Sequence, residues 1–427
     1  MFDYIIFLAY RLVLIPFAII LLKIAKSVLP EKIQTMIEER QDLVLPAMDS
    51  RPIWIHASSG EIEYAKSVIR KARAEYPQAT ILVTYSSPSA LKLIKNFPGI
   101  NFVLPLPWDH RDLVANFLAH IKPQICLIAR TDVWPEFSYQ LNKLQIPTLL
   151  FSATLAQGSS RTGFLARSLT RFALNQLSEI HCVSASDEEE FQKLKISTSL
   201  HCHGDTRYDQ VYYRLHHPQP LKIQLYPQSQ GGLTLVAGST WPADEAVLLP
   251  ALKNFFNQKG KLLIAPHEVK EERIQNLEKK FRELGLETLR YSKAEKEWAK
   301  EPVMILDQVG HLQEVYTWGD FAFVGGSFKD KVHSVMEPLA AGLPVIVGPL
   351  HKNNREALEF QNYSITPELK MVNVAHSEAE MKDLLQHFSK INSLEAQQTI
   401  RSQIQKKLGA TTHVLTWIQQ HFVKSSD

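Results

Sequence analysis

The chain is 427 residues long, more than a single ordinary core accommodates, so two globular domains of similar size are expected. Hydrophobic residues at 45% and charged residues at 21% exclude a disordered chain. A formal net charge of +3, with no Arg/Lys stripe interleaved with aromatics, excludes a nucleic-acid partner.

The first predicted element is the apolar run 4–22, broken only by Arg11 and long enough to cross a bilayer core. It has no basic n-region and no small-residue cleavage site, so residues 1–30 are expected to form a retained membrane anchor. Lys23, Lys26 and Lys32 follow it and, by the positive-inside rule, hold the following domains in the cytoplasm. Arg11 and Pro16 leave an interfacial helix open beside a spanning one.

Apolar runs suited to buried parallel strands follow at 52–56, 80–84, 102–105, 125–129, 147–152 and 180–183. Amphipathic stretches at 61–73, 87–95, 111–120 and 137–144 separate them, and Ser186 with Glu189 fits a capping box. This alternation predicts a doubly wound, Rossmann-like domain over 31–213. Three cysteines, Cys126, Cys182 and Cys202, lack metal-ligand spacing and read as reduced thiols. His201-Cys202-His203 invites a metal reading, but adjacent strand residues point to opposite faces and no second pair lies nearby, so none is expected.

The Pro- and Gln-rich segment 214–232 is the expected linker. Strands at 233–237, 261–265, 303–306, 321–324 and 344–347, with helices at 244–257 and 271–284, then make a second Rossmann-like domain over 233–427. Its last helix is free to pack back on the first domain. Ligands of two such domains bind beyond the carboxyl ends of the strands, in the cleft between them.

The candidate site residues sit at those strand ends. Ser59 and Gly60 form a small-residue turn and Glu61 opens a helix, where an acid serves either a substrate or the helix dipole. Gly238, Ser239 and Thr240 form a turn before the helix entered by Trp241-Pro242, able to cradle a phosphate or simply to start a helix. Gly325, Gly326 and Ser327 follow a buried strand, with His333 and Ser334 near a helix start and Glu337 about one turn on, where a carboxylate accepts from vicinal ribose hydroxyls.

Together with Trp134-Pro135, the run Gly204 to Asp209, Ala265-Pro266-His267-Glu268, Pro338 and Gly348-Pro349, these residues resemble the 3-deoxy-D-manno-octulosonic acid (Kdo) transferase family over nearly the whole chain. The resemblance implies a GT-B fold and an inverting, metal-independent glycosyltransferase without a cofactor. It implies transfer of Kdo from CMP-Kdo to a lipid A precursor, in lipopolysaccharide core biosynthesis. It assigns Glu61 as general base and the second domain as the CMP-Kdo site, formed by Gly238, Ser239, Thr240, His267, Gly325, Gly326, Ser327, His333, Ser334 and Glu337 with help from Arg207. Ser59, Gly60, Arg130 and Asp132 are then acceptor-side candidates.

Three segments depart from the family pattern. Arg130 stands where an acid is usual, Lys331-Val332-His333-Ser334 replaces a Gly-Gly-His-Asn run, and His267-Glu268 replaces an Arg-His pair. Arg130, Lys66 and Arg161 are cations suited to acceptor phosphates or the Kdo carboxylate, with a solvated face as the plainer reading. Two rival functions share the layout: a nucleotide-sugar epimerase, which has no need of an anchor, and a non-catalytic membrane-bound relative.

Overall fold

The structure is a computed structural model that describes residues 1–223, 232–295, 298 and 300–423. Residues 224–231 of the expected linker lie outside the described residues. Two compact units result, Met1–Gln210 with Lys407–Asp427, and Val211–Lys406. The first division falls inside the helix Thr206–His216, a few residues before the expected boundary at 213.

Unit 1 carries seven parallel strands: β1 (Ile53–His56), β2 (Ile81–Tyr85), β3 (Phe102–Pro105), β4 (Ile125–Ala129), β5 (Thr148–Ala153), β6 (Glu179–Cys182) and β7 (Ser199–Cys202). Their order is β3-β2-β1-β4-β5-β6-β7, so it reverses direction between β1 and β4. Central strands such as IWIH and ICLIA are buried throughout, because helices cover both faces of a parallel sheet. Ile53 and Ile55 enter one core with the helix Ile62–Glu75, while Trp54 enters the opposite core with Phe117 and Phe137.

Unit 2 repeats the plan with β8 (Thr234–Thr240), β9 (Lys261–Pro266), β10 (Thr288–Arg290), β11 (Val303–Ile305), β12 (Phe321–Val324), β13 (Val345–Val347) and β14 (Val372–Val374). All pair in parallel in the order β10-β11-β9-β8-β12-β13-β14, reversing between β8 and β12. These two Rossmann-like sheets are those of the GT-B fold.

The strands that sequence reading omits, β7, β10 and β14, are all at sheet edges. They read SLHC, TLR and VNV, polar residues interrupting the apolar ones, and β7 is largely exposed, so none carries the apolar run that marks a central strand. Three helix expectations also change. The helix expected at 244–257 is two, Pro242–Ala251 and Lys253–Asn257, the first containing Pro250. Residues 87–95 form a 3₁₀ turn, Pro88–Ala90, and the short helix Leu91–Ile94. The cap expected at Ser186 is at Ser184, whose hydroxyl accepts from the Asp187 amide at 3.3 Å and donates to its carboxylate at 2.6 Å.

The C-terminal segment, assigned by sequence to the second domain with its last helix free to pack back on the first, belongs to unit 1 from Lys407 onward. Val414, Trp417 and Ile418 of the helix Ala410–His421 join the core formed by β1 and the helix Ile62–Glu75. Asp209 caps that last helix from 200 residues away, accepting from the amides of Gly409 (2.8 Å) and Thr411 (2.7 Å). At the other terminus one continuous helix runs over Phe2–Ile24, with a wide π turn at Tyr10–Leu14 directly before Pro16, whose ring removes a backbone donor.

Candidate functional site

In an open parallel sheet, the loops after the two strands flanking the order reversal diverge and leave room for a ligand. In unit 1 these are the loops after β1 and β4. The first turns at Ser59, whose φ of 36° is left-handed, into a 3₁₀ turn Ser59–Glu61 and then the helix Ile62–Glu75. The second begins at Arg130, with φ 65°, and carries Thr131 and Asp132. Non-glycine residues held at such angles mark loops whose course the surrounding fold dictates.

These loops meet at Glu61. Its Oε1 accepts from the Thr131 hydroxyl at 3.0 Å, and its buried Oε2 has no hydrogen-bond partner. Burial, then the nearby Asp132 carboxylate, raise its pKa above the ordinary carboxylate range; the Thr131 hydrogen bond, Arg130 and His56 pull it back only in part. Asp132 behaves oppositely. Burial pushes its pKa up, but hydrogen bonds from His56 (2.9 Å), Ser86 (2.8 Å) and Trp134 outweigh that and hold it at about 2. Two neighbouring carboxyl groups thus have pKa values driven apart, the arrangement in which one stays a fixed charge while the other exchanges a proton. Behind Asp132, His56 Nδ1 meets Thr84 at 2.8 Å, and Thr84 accepts from the Trp54 indole at 2.9 Å.

Cations flank Glu61. The Arg130 guanidinium donates to the Tyr64 hydroxyl and lies 5.0 Å over its ring; Arg207 lies 5.8 Å over the same ring. Arg207, grouped by sequence with the donor residues, therefore stands in unit 1 beside Arg130. Arg161 donates to the Thr131 carbonyl at 2.6 Å, while Lys66 is paired with Glu63 at 2.5 Å. A cavity of about 220 Å³ beside Thr131 is lined in part by Tyr10, Arg130, Asp132, Trp134, Arg161 and Phe191.

In unit 2 the reversal lies between β8 and β12. Gly238, Ser239 and Thr240 are not a turn after a strand, as the sequence suggests, but the irregular end of β8, where the register shifts and Ser239 takes φ 55°. Gly238 has to be glycine, since a Cβ there would lie 2.0 Å from the Tyr316 hydroxyl; at Gly325 it would lie 2.4 Å from the Ser239 carbonyl oxygen. The buried carboxylate of Asp244, which sequence reading leaves unassigned, ties the two loops together. It accepts from the amides of Trp241 (2.8 Å), Gly326 (2.7 Å) and Phe328 (3.0 Å). An Asp two residues after a Pro at a helix start was the signal for the first of these contacts only.

Around this frame Trp241, His267 and His333 stack in sequence, each pair of rings 4.5 Å apart. The Trp241 indole also donates to His333 Nε2 at 3.3 Å, and the Lys329 ammonium lies 3.1 Å over the indole. Burial, reinforced by the neighbouring His267 and Lys331, holds the His333 imidazole neutral down to about pH 4. Ser334 accepts from the Met336 amide at 3.4 Å ahead of the helix Met336–Ala341, and Glu337 stands half-buried in its first turn. Ser327, expected to face a ligand, is instead fully buried, donating to the Val324 carbonyl and accepting from the Gly348 amide.

His201 and His203 pack with His181 and His413 as an imidazole cluster in unit 1, His203 lying 4.0 Å from His413. Among the described residues no group of three or more His, Cys, Asp or Glu has metal-binding geometry.

Residues 31–210 match the profile of the family described as 3-deoxy-D-manno-octulosonic-acid transferase (kdotransferase). Curated 3-deoxy-D-manno-octulosonic acid transferases are similar along most of the chain. That of Chlamydophila psittaci is 27% identical over 69% of this chain and 69% of its own; that of Rickettsia bellii is 24% identical over 82% and 83%. Among solved structures, the UDP-GlcNAc 2-epimerase of Neisseria meningitidis bound to UDP-GlcNAc covers 87% of this chain and 100% of its own, with a TM-score of 0.61 and 10% identity, a likeness of fold alone. By its sequence, this protein is similar to the 3-deoxy-D-manno-octulosonic acid transferases over most of its length.

Proposed function

We propose that the chain transfers Kdo from CMP-Kdo to a hydroxyl of a lipid A precursor, with inversion and without a metal, at the cytoplasmic face of the inner membrane. The observation that carries this reading is Glu61: a half-buried carboxylate at the order reversal of unit 1, with a raised pKa and one buried oxygen without a donor. Glu61 takes the proton of the attacking hydroxyl, and Thr131 holds the carboxylate in place. Arg130 and Arg207, both against the Tyr64 ring, meet the negative charge of the substrates, with Asp132 as fixed counter-charge.

On the donor side, Glu337 accepts from the ribose hydroxyls. The amides of the Gly325-Gly326 loop, with Lys329, His267 and His333, surround the departing phosphate. The buried Ser327 acts by holding the loop.

The test is incubation of purified full-length protein with CMP-Kdo and a tetra-acylated lipid A precursor, read by product mass. A mass gain of one or more Kdo units with release of CMP is expected. No transfer, with conversion of UDP-GlcNAc instead, would favour the epimerase; neither reaction, with CMP-Kdo still bound, would favour a non-catalytic relative.

A further inference from the structure

At about 1.5 Å per residue, the 23 residues of Phe2–Ile24 reach roughly 35 Å, enough to cross a hydrocarbon core of about 30 Å. Length and composition therefore allow a span, and the packing argues against one. Within unit 1 the helix is fastened along one side to the helices Phe164–Leu174 and Pro135–Lys143. Asp3 accepts two 2.6 Å hydrogen bonds from the Arg171 guanidinium, and Tyr10 donates to Asp109 at 2.7 Å. Arg11, the charge that stands out in the sequence, forms a 3.0 Å ion pair with the fully buried Glu136 and stacks over Tyr139. Phe7 is completely buried, 4.1 Å from the Phe172 ring.

Were this helix to cross a bilayer as docked, its fastening partners would enter the hydrocarbon with it, Arg171, Glu136 and Asp109 among them. Each charge at that depth costs about 2.5–3.5 kcal/mol or more. Undocking the helix instead would strip Glu136 of its arginine and leave a buried carboxylate unpaired.

The opposite side of the helix is apolar and uncovered: Leu12, Val13, Phe17, Leu21 and Ile24 are all more than half exposed. The surface continues onto the neighbouring helix, where Phe164 is 81% and Leu165 60% exposed, and Phe2 touches Phe164 at 6.2 Å between rings. An apolar patch on two adjacent elements, with Asp3, Tyr10 and Arg11 turned to the docked side and Lys23 exposed in the last turn, has the form of a helix lying in one leaflet. We propose that Phe2–Ile24, together with Phe164 and Leu165, seats unit 1 in a single leaflet of a phospholipid bilayer, with the N-terminus on the same side as the rest of the chain. This rests on the membrane part of the reading above and replaces the spanning anchor.

The experiment uses the full chain with an epitope ahead of Met1. In sealed inside-out membrane vesicles, added protease should remove the epitope together with the folded units, and in spheroplasts it should leave both intact. An epitope protected in inside-out vesicles and cut in spheroplasts would overturn the proposal. As a second arm, Val13→Asp with Phe17→Asp should lower co-sedimentation with anionic phospholipid vesicles by about tenfold or more, without moving the thermal midpoint; unchanged sedimentation would equally overturn it. Neither readout uses sugar transfer, so each can fail or succeed whatever the fate of the Kdo-transfer reading.

Discussion

At Glu61 two forces act on one carboxylate, burial raising its pKa and Thr131 and Arg130 restraining the rise. A base of this kind acts on the acceptor and not on the nucleotide, so Glu61→Gln is expected to leave CMP affinity nearly unchanged while transfer falls by about 10²-fold or more. Calorimetry and a transfer assay on one preparation separate the two, and a near-normal rate would remove Glu61 from the mechanism. Because deprotonation is needed and the pKa is raised, activity should climb with pH through a limb lying above the ordinary glutamate value of 4.5. At Glu337 the expectation is reversed: Glu337→Ala should weaken CMP binding by about 1.5–3 kcal/mol, the worth of hydrogen bonds to a charged group. Unchanged affinity in calorimetry, with the fold intact, would move the ribose contact elsewhere.

The loops of unit 2 depend on elements rather than on single contacts to a ligand. Asp244 joins the start of the helix Pro242–Ala251 to the loop after β12 through three backbone amides. Asp244→Ala would leave those donors without their acceptor, at about 1–3 kcal/mol for each one that stays buried and unsatisfied. A lowered melting midpoint together with weakened CMP binding is expected; retention of both would mean that the loop is held by other contacts. Legibility at this scale was uneven. Gly325-Gly326 after an apolar strand was readable, because a glycine pair at a strand end reports a need for close backbone approach. The inward turn of Ser327 was not, since the Gly348 amide that donates to it arrives only through the pairing of β12 with β13.

Over the whole molecule, unit 1 is completed by the far end of the chain. A chain ending at Lys406 loses Val414, Trp417 and Ile418 from its core, each such side chain being worth about 1.5–3 kcal/mol. In scanning calorimetry the unit 1 transition should fall sharply while that of unit 2 persists; two unchanged transitions would mean the last helix adds nothing. Acid should weaken both units through histidines held neutral. His203 and His333 have folded pKa values lowered to about 4 from 6.5, chiefly by burial, so the unfolded chain binds more protons between those values. Their contribution is complete above pH 6.5 and is lost as the pH falls toward 4. His333→Asn should flatten that part of the stability profile relative to the parent chain, and an unaltered acid limb would count against it.

The sequence by itself determined the alternation of buried strands and helices, the two Rossmann-like sheets, the apolar N-terminal helix and the strand ends where polar residues gather, because each is written in local periodicity and composition. Tertiary structure alone decided the rest. The edge strands β7, β10 and β14 break their apolar residues with polar ones, and the last helix owes its place to Asp209, 200 residues away from Gly409. Arg207 joins Arg130 only because both rest on Tyr64. Arg11 looked like a charge stranded in a membrane span until the fold brought Glu136 to it. A partner more than a hundred residues away leaves no trace in local pattern, since what selects it is the cost of burying a charge alone.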